Sequence, residues 1–332
     1  MPPLVRSGID CSALANDMIL DPIRRQALRW AGARTAALAL PWLTAGCASV
    51  LPMVEPPPAA GDRDAKALFD EACEAHGLAA LRSLRDFNIS YDGEWLGIIH
   101  RIQPIIVDIG YRKTSDERWL LRSGVVAQRH QGPQGSKQVV RELPRGVWGG
   151  QAEGFGTSRV WYDGAETRDA QIVAASAMVA DAYGLFLLGP MWLAGRSDLA
   201  MRRAGTERVD GRDCEILEAW MKPGIGFVAL DRVALAIDRR DRTMRRVTLT
   251  LESMESTRGA VVETDTFDHQ RRDGVLWPMR FYERLRRPFP NLPAHEWRVT
   301  GLDVNRGYDA GAIRGPGFSG AAVAPARGLA PG

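Results

Sequence analysis

From Thr206 to Val304 the chain is a series of alternating runs joined by short polar turns, and this constrains the fold more than any other feature. Thr206–Val209 and Cys214–Trp220 flank Asp210-Gly211. Val233–Ile237 and Arg246–Leu251 flank Asp238-Arg239-Arg240-Asp241, and Val261–His269 and Leu276–Leu285 flank Asp273-Gly274. Trp297–Val304 closes the series. Val247, Leu249 and Leu251 alternate with Thr248 and Thr250, the period of a half-buried strand. Asp-Gly between such runs marks a hairpin. Hairpins in series pair antiparallel, so the pattern implies an antiparallel sheet and excludes a doubly wound parallel one.

The first half is more mixed. Asp62 or Asp64 can cap a helix that Gly77 ends, with Leu68, Phe69, Ala72 and Cys73 on one stripe. His76 falls at its C-terminal end, where the helix dipole favours a cation. A short segment, Leu78 to Leu84, follows. Phe87, Ile89 and Tyr91 alternate with Asn88, Ser90 and Asp92, a strand, and Asp92-Gly93 reads as a turn. Ile98–Ile109, Arg118–Gln128, Gln138–Leu143 and Arg159–Tyr162 read as further strands, separated by glycine-rich loops. Asp169 to Leu188 is a second helical region, with Ile172, Ala175, Val179, Ala182 and Phe186 at helical spacing. Leu185–Leu193 is apolar all round, and Pro190 should end or kink the helix. The apolar run is too short and broken to span a membrane, so it is buried in protein or binds something apolar.

The N-terminal region carries an address. Arg24, Arg25, Arg29 and Arg34 precede the apolar run Thr35–Leu43, and small residues Ala45 and Gly46 precede Cys47. That order is the order of a secretory signal. The run Leu43-Thr44-Ala45-Gly46-Cys47 resembles the lipobox of bacterial lipoproteins, with Thr44 where Leu is usual. The resemblance implies cleavage before Cys47, diacylation of its thiol and acylation of the new amino terminus. Arg24-Arg25-Gln26-Ala27-Leu28-Arg29 also resembles a twin-arginine export signal, and a plain basic region fits equally well. Residues 48–61 include Glu55-Pro56-Pro57-Pro58, the composition of an extended spacer. Ser49 follows the anchor and no Asp adjoins Cys47, a pattern that in enterobacteria favours the outer membrane.

Composition narrows the partners. The chain has 332 residues, 25% of them charged, with a formal net charge of +3 that falls close to neutral once the arginine-rich leader is removed. A near-neutral surface argues against a nucleic-acid partner. Cys73 and Cys214 remain beyond the leader, and pairing or two buried thiols are both open. No catalytic motif is found. Gly317-Phe318-Ser319-Gly320-Ala321 lacks the last glycine of a nucleophile elbow. His295-Glu296 lacks a second histidine at zincin spacing, and His100, His130 and His269 stand apart. No cofactor motif and no metal-ligand spacing is present.

The order of one helix, several strands, a mid-chain helix and consecutive hairpins resembles the LolA-like superfamily of lipoprotein and lipid carriers, which includes LolB-type and LppX-type lipoproteins. Ile237-Asp238-Arg239-Arg240-Asp241, Asp273-Gly274-Val275-Leu276-Trp277-Pro278 and Leu302-Asp303-Val304-Asn305 echo its turns and closing strand. The resemblance implies an α+β fold: a strongly curved antiparallel sheet, an incomplete β-barrel, with helices closing the concave face. Together with the leader, spacer and Gly/Ala/Pro-rich tail, the chain divides into a signal peptide over 1–46 (Met18 being an alternative start), a lipid-anchored Pro-rich linker over 47–62, a LolA-like domain over 63–308 and a disordered tail over 309–332.

It further implies an apolar cavity for the acyl chains of a lipid or lipoprotein, palmitate for example. Trp95, Trp119, Trp161, Phe186, Trp192, Trp220, Trp277, Phe281 and Trp297 are the candidates to line it. An acylated Cys47 would stop the chain from shuttling, so an anchored version must receive, present, tether or sense. The expected function is non-catalytic acyl binding by an anchored, periplasm-facing protein, with the outer membrane as its expected location. The alternative is a structural or sensory envelope lipoprotein with a filled core that contacts a protein partner. An open apolar cavity would favour the first, and a buried ionisable cluster in a cleft would favour an enzyme.

Overall fold

The computed structural model describes residues 55–316 and Phe318, except 60, 197, 198 and 317. Residues 1–54, with Met18, the leader arginines and Cys47, lie outside the described residues, as does the tail beyond Phe318.

The chain opens with α1 (Arg63–His76) and α2 (Leu78–Ser83). Asp62 caps α1, accepting from Asp64 N at 2.9 Å and Ala65 N at 3.0 Å. Gly77 ends it in the left-handed region at φ 87°, open to glycine without strain. The expected stripe, Leu68, Phe69, Ala72 and Cys73, is its buried face. There follow β1 (Asp86–Trp95), α3 (Ile99–Ile102), α4 (Pro104–Val107), β2 (Thr114–Leu120), β3 (Val125–Gly132), β4 (Gly135–Glu142), β5 (Thr157–Tyr162) and β6 (Ala165–Thr167). Two helices, α5 (Ala170–Leu188) and α6 (Pro190–Leu193), precede β7 (Ala200–Val209), β8 (Arg212–Met221), β9 (Asp231–Asp238), β10 (Met244–Leu251) and β11 (Ala260–Phe267). The chain closes with β12 (Gln270–Arg272), β13 (Val275–Trp277), β14 (Arg280–Arg287), β15 (Leu292–Val304) and α7 (Ala310–Ile313).

Thirteen strands form one antiparallel sheet in the order β6-β5-β4-β3-β2-β1-β15-β14-β11-β10-β9-β8-β7, and β12 and β13 form a separate ribbon. Two meanders are joined where the first strand meets the last, with Phe87 opposite Val304 and Trp95 opposite His295. The edges β6 and β7 do not pair with each other, so the sheet is an open, incomplete barrel. One apolar core joins its inner face to α1, α5 and α6. The expected α+β class, with helices on the concave face, is the fold found.

Several local expectations are corrected. Ile98–Ile109 is not a strand but α3 and α4; Pro104 lacks an N–H for a ladder and opens α4, where a helix tolerates it. Asp92-Gly93 is not a turn but lies inside β1. A Cβ on Gly93 would stand 2.7 Å from Trp297 Cβ, so this glycine serves close packing between strands. Arg118–Gln128 is split between β2 and β3 by a turn at Gly124, φ 61°. Leu276–Leu285 is split between β13 and β14. Residues after 308 are not wholly without structure: Asp309 caps α7, and Ile313 and Phe318 pack on the outer face of the sheet.

His76 does not serve as a cation. It is buried, lies 2.8 Å from Ala72 O through Nδ1, and accepts from Met244 N at 3.2 Å through Nε2. Burial lowers its imidazole to about 4, overriding the helix dipole. Cys73 and Cys214 are both free and buried, and burial pushes the Cys73 thiol up to about 12. Glu55 of the spacer is held on the outer face, where Trp220 Nε1 donates to its carbonyl at 2.7 Å and Arg232 meets its carboxylate at 3.0 Å.

Candidate functional site

Topology fixes where the site must be. The chain leaves the sheet at one edge, β6, and re-enters at the other, β7, so α5 and α6 must cross between the edges. They do so inside the curve. Asp169 caps α5, accepting from Gln171 N at 2.9 Å and Ile172 N at 3.1 Å, and every residue from Ala175 to Leu188 is buried. By length and composition this helix is apolar enough to cross a membrane, but it lies within the fold, which is how a core helix passes that test.

Facing α5 is an aromatic wall built by cross-strand pairs. Phe281 stands opposite Trp297 in register and stacks on it, with centroids 4.9 Å apart and planes 6° apart. Trp297 stacks in turn on Tyr183 of α5 at 5.2 Å, and Phe186 lies 6.0 Å from it. Phe87 and Trp119 stack at 5.4 Å, and Trp119 meets Trp192 of α6 edge-on at 5.8 Å.

The structure therefore brings together six of the nine candidate aromatic residues. Trp119, Phe186, Trp192, Trp277, Phe281 and Trp297 share the concave core. Trp95 stands at its rim, half-buried, stacked on His295 at 3.9 Å. Trp161 and Trp220 lie on the opposite face. Trp161 packs with Leu120, Ile313 and Phe318, and Trp220 lies against Glu55 and Arg202.

Beside the wall is a buried polar cluster that sequence reasoning missed. Arg112 donates through Nη1 to Ile106 O and through Nη2 to Tyr183 OH at 3.1 Å. Tyr183 OH in turn lies 3.1 Å from His295 Nδ1. Glu117 accepts from Gln128 Nε2 at 2.8 Å and from Trp119 Nε1 at 3.2 Å. His130 stands opposite Ser115, and Glu283 opposite His295, in the strand registers. Burial pushes the carboxyls of Glu117 and Glu283 up to about 7. Burial holds His130 and His295 well below the usual imidazole range, and the Arg112 charge adds to this. Lys137 is lowered to about 8 by burial, opposed by its ion pair with Asp108 at 2.8 Å.

A cavity of about 20 Å³ lies within this cluster, between Arg112, His130, Tyr183, His295, Trp95 and Trp297. It has room for about one water-sized group. Where an open apolar cavity is expected, α5 packs into the concave core. Larger hollows lie elsewhere, one of about 500 Å³ beside Ala170 and Met254, another of about 270 Å³ beside Glu94 and Arg298. Among the described residues no group of three or more His, Cys, Asp or Glu is placed to hold a metal ion. The cluster can hold a small polar group against a cation and neutral imidazoles.

No protein-family profile and no curated protein matches this chain. Among solved structures it is similar to a LolA superfamily protein from Nitrosomonas europaea, at 10% identity and a TM-score of 0.45 over 75% of this chain and 96% of that one. It is also similar to a DUF1329 family protein from Desulfovibrio piger, at 14% identity and a TM-score of 0.42 over 75% of this chain and 96% of that one. A third is the lipoprotein LppX of Mycobacterium tuberculosis, at 10% identity and a TM-score of 0.26 over 74% of this chain and 98% of that one. At these values the likeness stands as a likeness, and the functional reading rests on the residues of this chain.

Proposed function

We propose that this chain is a membrane-anchored protein of the bacterial envelope, facing the periplasm, that binds acyl chains of a lipid or lipoprotein without chemistry. The observation that carries the reading is α5, a mostly apolar helix buried from Ala175 to Leu188, laid against a wall of stacked aromatic rings inside an open sheet. Such a helix is exchangeable: an acyl chain offers the wall the same apolar contact, and burial is favourable at about 25 cal/mol per Å² whichever partner supplies it. The sheet is open at both edges, so α5 can move without breaking its ladder once the Arg141–Asp181 pair parts.

In this reading Cys47 carries the anchor, export proceeds by the general or the twin-arginine route, and the outer membrane is the destination. Each buried CH₂ of the acyl anchor contributes about 0.8 kcal/mol, so more than one chain holds the protein stably. Labelling cells with an alkyne analogue of palmitate tests the anchor: wild type takes up label and Cys47→Ser does not. Equal labelling of both would refute it. Amide exchange over 175–188 tests the site, which should speed up when fatty acid is taken up. Unchanged exchange with bound fatty acid would remove α5 from the mechanism.

One observation favours a second reading. The concave face is already filled, as a structural or sensory lipoprotein contacting a protein partner would have it. That reading predicts no acyl uptake at all.

A further inference from the structure

We propose that Arg112 is the recognition point for an anionic group, a carboxylate or a phosphate, at the polar end of the concave site. The inference rests on the acyl-binding reading for the chain attached to that group, but not for the anion itself.

Arg112 is only 5% exposed, and its Nε has no hydrogen-bond partner. Among the described residues it has no ion-pair partner either. Three other buried arginines differ: Arg141 is paired with Asp181, Arg246 with Asp265, and Arg284 with Glu263 and Asp265. A buried cation without a counter-ion is costly, and proteins retain one where something else supplies the charge. The two carboxyls that act on Arg112 electrostatically, Glu117 and Glu283, are themselves displaced toward the neutral form by burial. The two imidazoles nearby are also neutral, so neither repels the guanidinium.

The surroundings suit an oxyanion. Arg112 lines the small cavity together with Tyr183, His130 and His295. Its guanidinium lies over the Trp95 ring at 4.9 Å and the Tyr183 ring at 5.5 Å, which fixes its plane while leaving Nε free. The cavity admits about one oxygen-sized group, which a carboxylate or phosphate would place beside a charged donor. The aromatic wall begins at the same point, since Trp297 lines the cavity and stacks on Phe281. A ligand with an acidic head and an apolar tail would thus be read at both ends.

The test is calorimetric titration of the full chain carrying Cys47→Ser with palmitate, methyl palmitate, hexadecyl phosphate and inorganic phosphate. Palmitate and hexadecyl phosphate should bind at least tenfold more tightly than the methyl ester, and Arg112→Gln should remove that preference while keeping ester binding. Equal affinity of wild type for acid and ester would overturn the anion site and leave acyl binding standing. Binding of inorganic phosphate without any acyl ligand would keep the anion site and overturn acyl binding. Binding of none of the four would overturn both. The comparison of acid with ester in wild type stands even if Arg112→Gln does not fold.

Discussion

Arg141 reaches from β4 into the concave face and closes on Asp181 of α5 through two parallel contacts, Nε to Oδ1 at 3.0 Å and Nη2 to Oδ2 at 2.8 Å. Both side chains are buried, and Asp181 also accepts from Gly226 N at 2.8 Å. The pair ties the crossing helix to the sheet. Removing one partner strands a buried charge, so Asp181→Ala should lower stability by about 3–5 kcal/mol in urea denaturation. Replacing both with Leu should cost less than either single change. Additive losses would contradict the pair as a unit.

Gly184 makes the helix fit its wall. A Cβ there would stand 2.7 Å from the Trp119 ring and 3.0 Å from Trp192. Alanine favours a helix over glycine by about 1 kcal/mol, but overpacking costs about 1–3 kcal/mol, so Gly184→Ala should lower the melting temperature. A rise would show that the helix has room to shift.

Glu117 gives the protein a pH signature. Burial raises its carboxyl from 4.5 to about 7, so its contribution is fully present below pH 4.5 and lost as pH rises through 7. Arg112, Ser115, Trp119 and Gln128 face it and oppose the shift without cancelling it. Glu117→Gln cannot ionise. Its stability relative to wild type should therefore improve between pH 4.5 and 8, by up to about 3 kcal/mol. Parallel pH curves for the two proteins would contradict this.

The two faces of the sheet should separate the aromatic candidates. Trp161→Phe and Trp220→Phe lie on the outer face and should leave uptake of a fluorescent fatty acid unchanged. Trp297→Ala and Phe281→Ala remove the stacked wall and should change it several-fold. Equal effects from both pairs would move the site away from the concave face.

Much of this was legible locally. The alternation of Val247, Leu249 and Leu251 marks a strand with one face buried, and such strands declare themselves in sequence. The junction of β1 with β15 left no such mark, because Phe87 and Val304 meet only through the fold. Ile98–Ile109 misled because isoleucine and valine favour strands while Pro104 and the packing of Val107 set the actual structure. The outward positions of Trp161 and Trp220 followed from register, which composition does not carry.

The polar cluster had a faint signal. Glu117 is in phase with Trp119, Gln128 and His130 with Val126, and His295 with Trp297, each a polar residue at an inward position of its strand. Arg112 and Tyr183 gave none, since one precedes a strand and the other sits on a helix buried all round.

The most direct test of acyl binding is native mass spectrometry of the full chain carrying Cys47→Ser, purified without detergent. The account predicts co-purified acyl species that are released on denaturation. A clean mass, with no uptake of added fluorescent fatty acid, would contradict it and leave the filled-core, partner-contacting reading in its place.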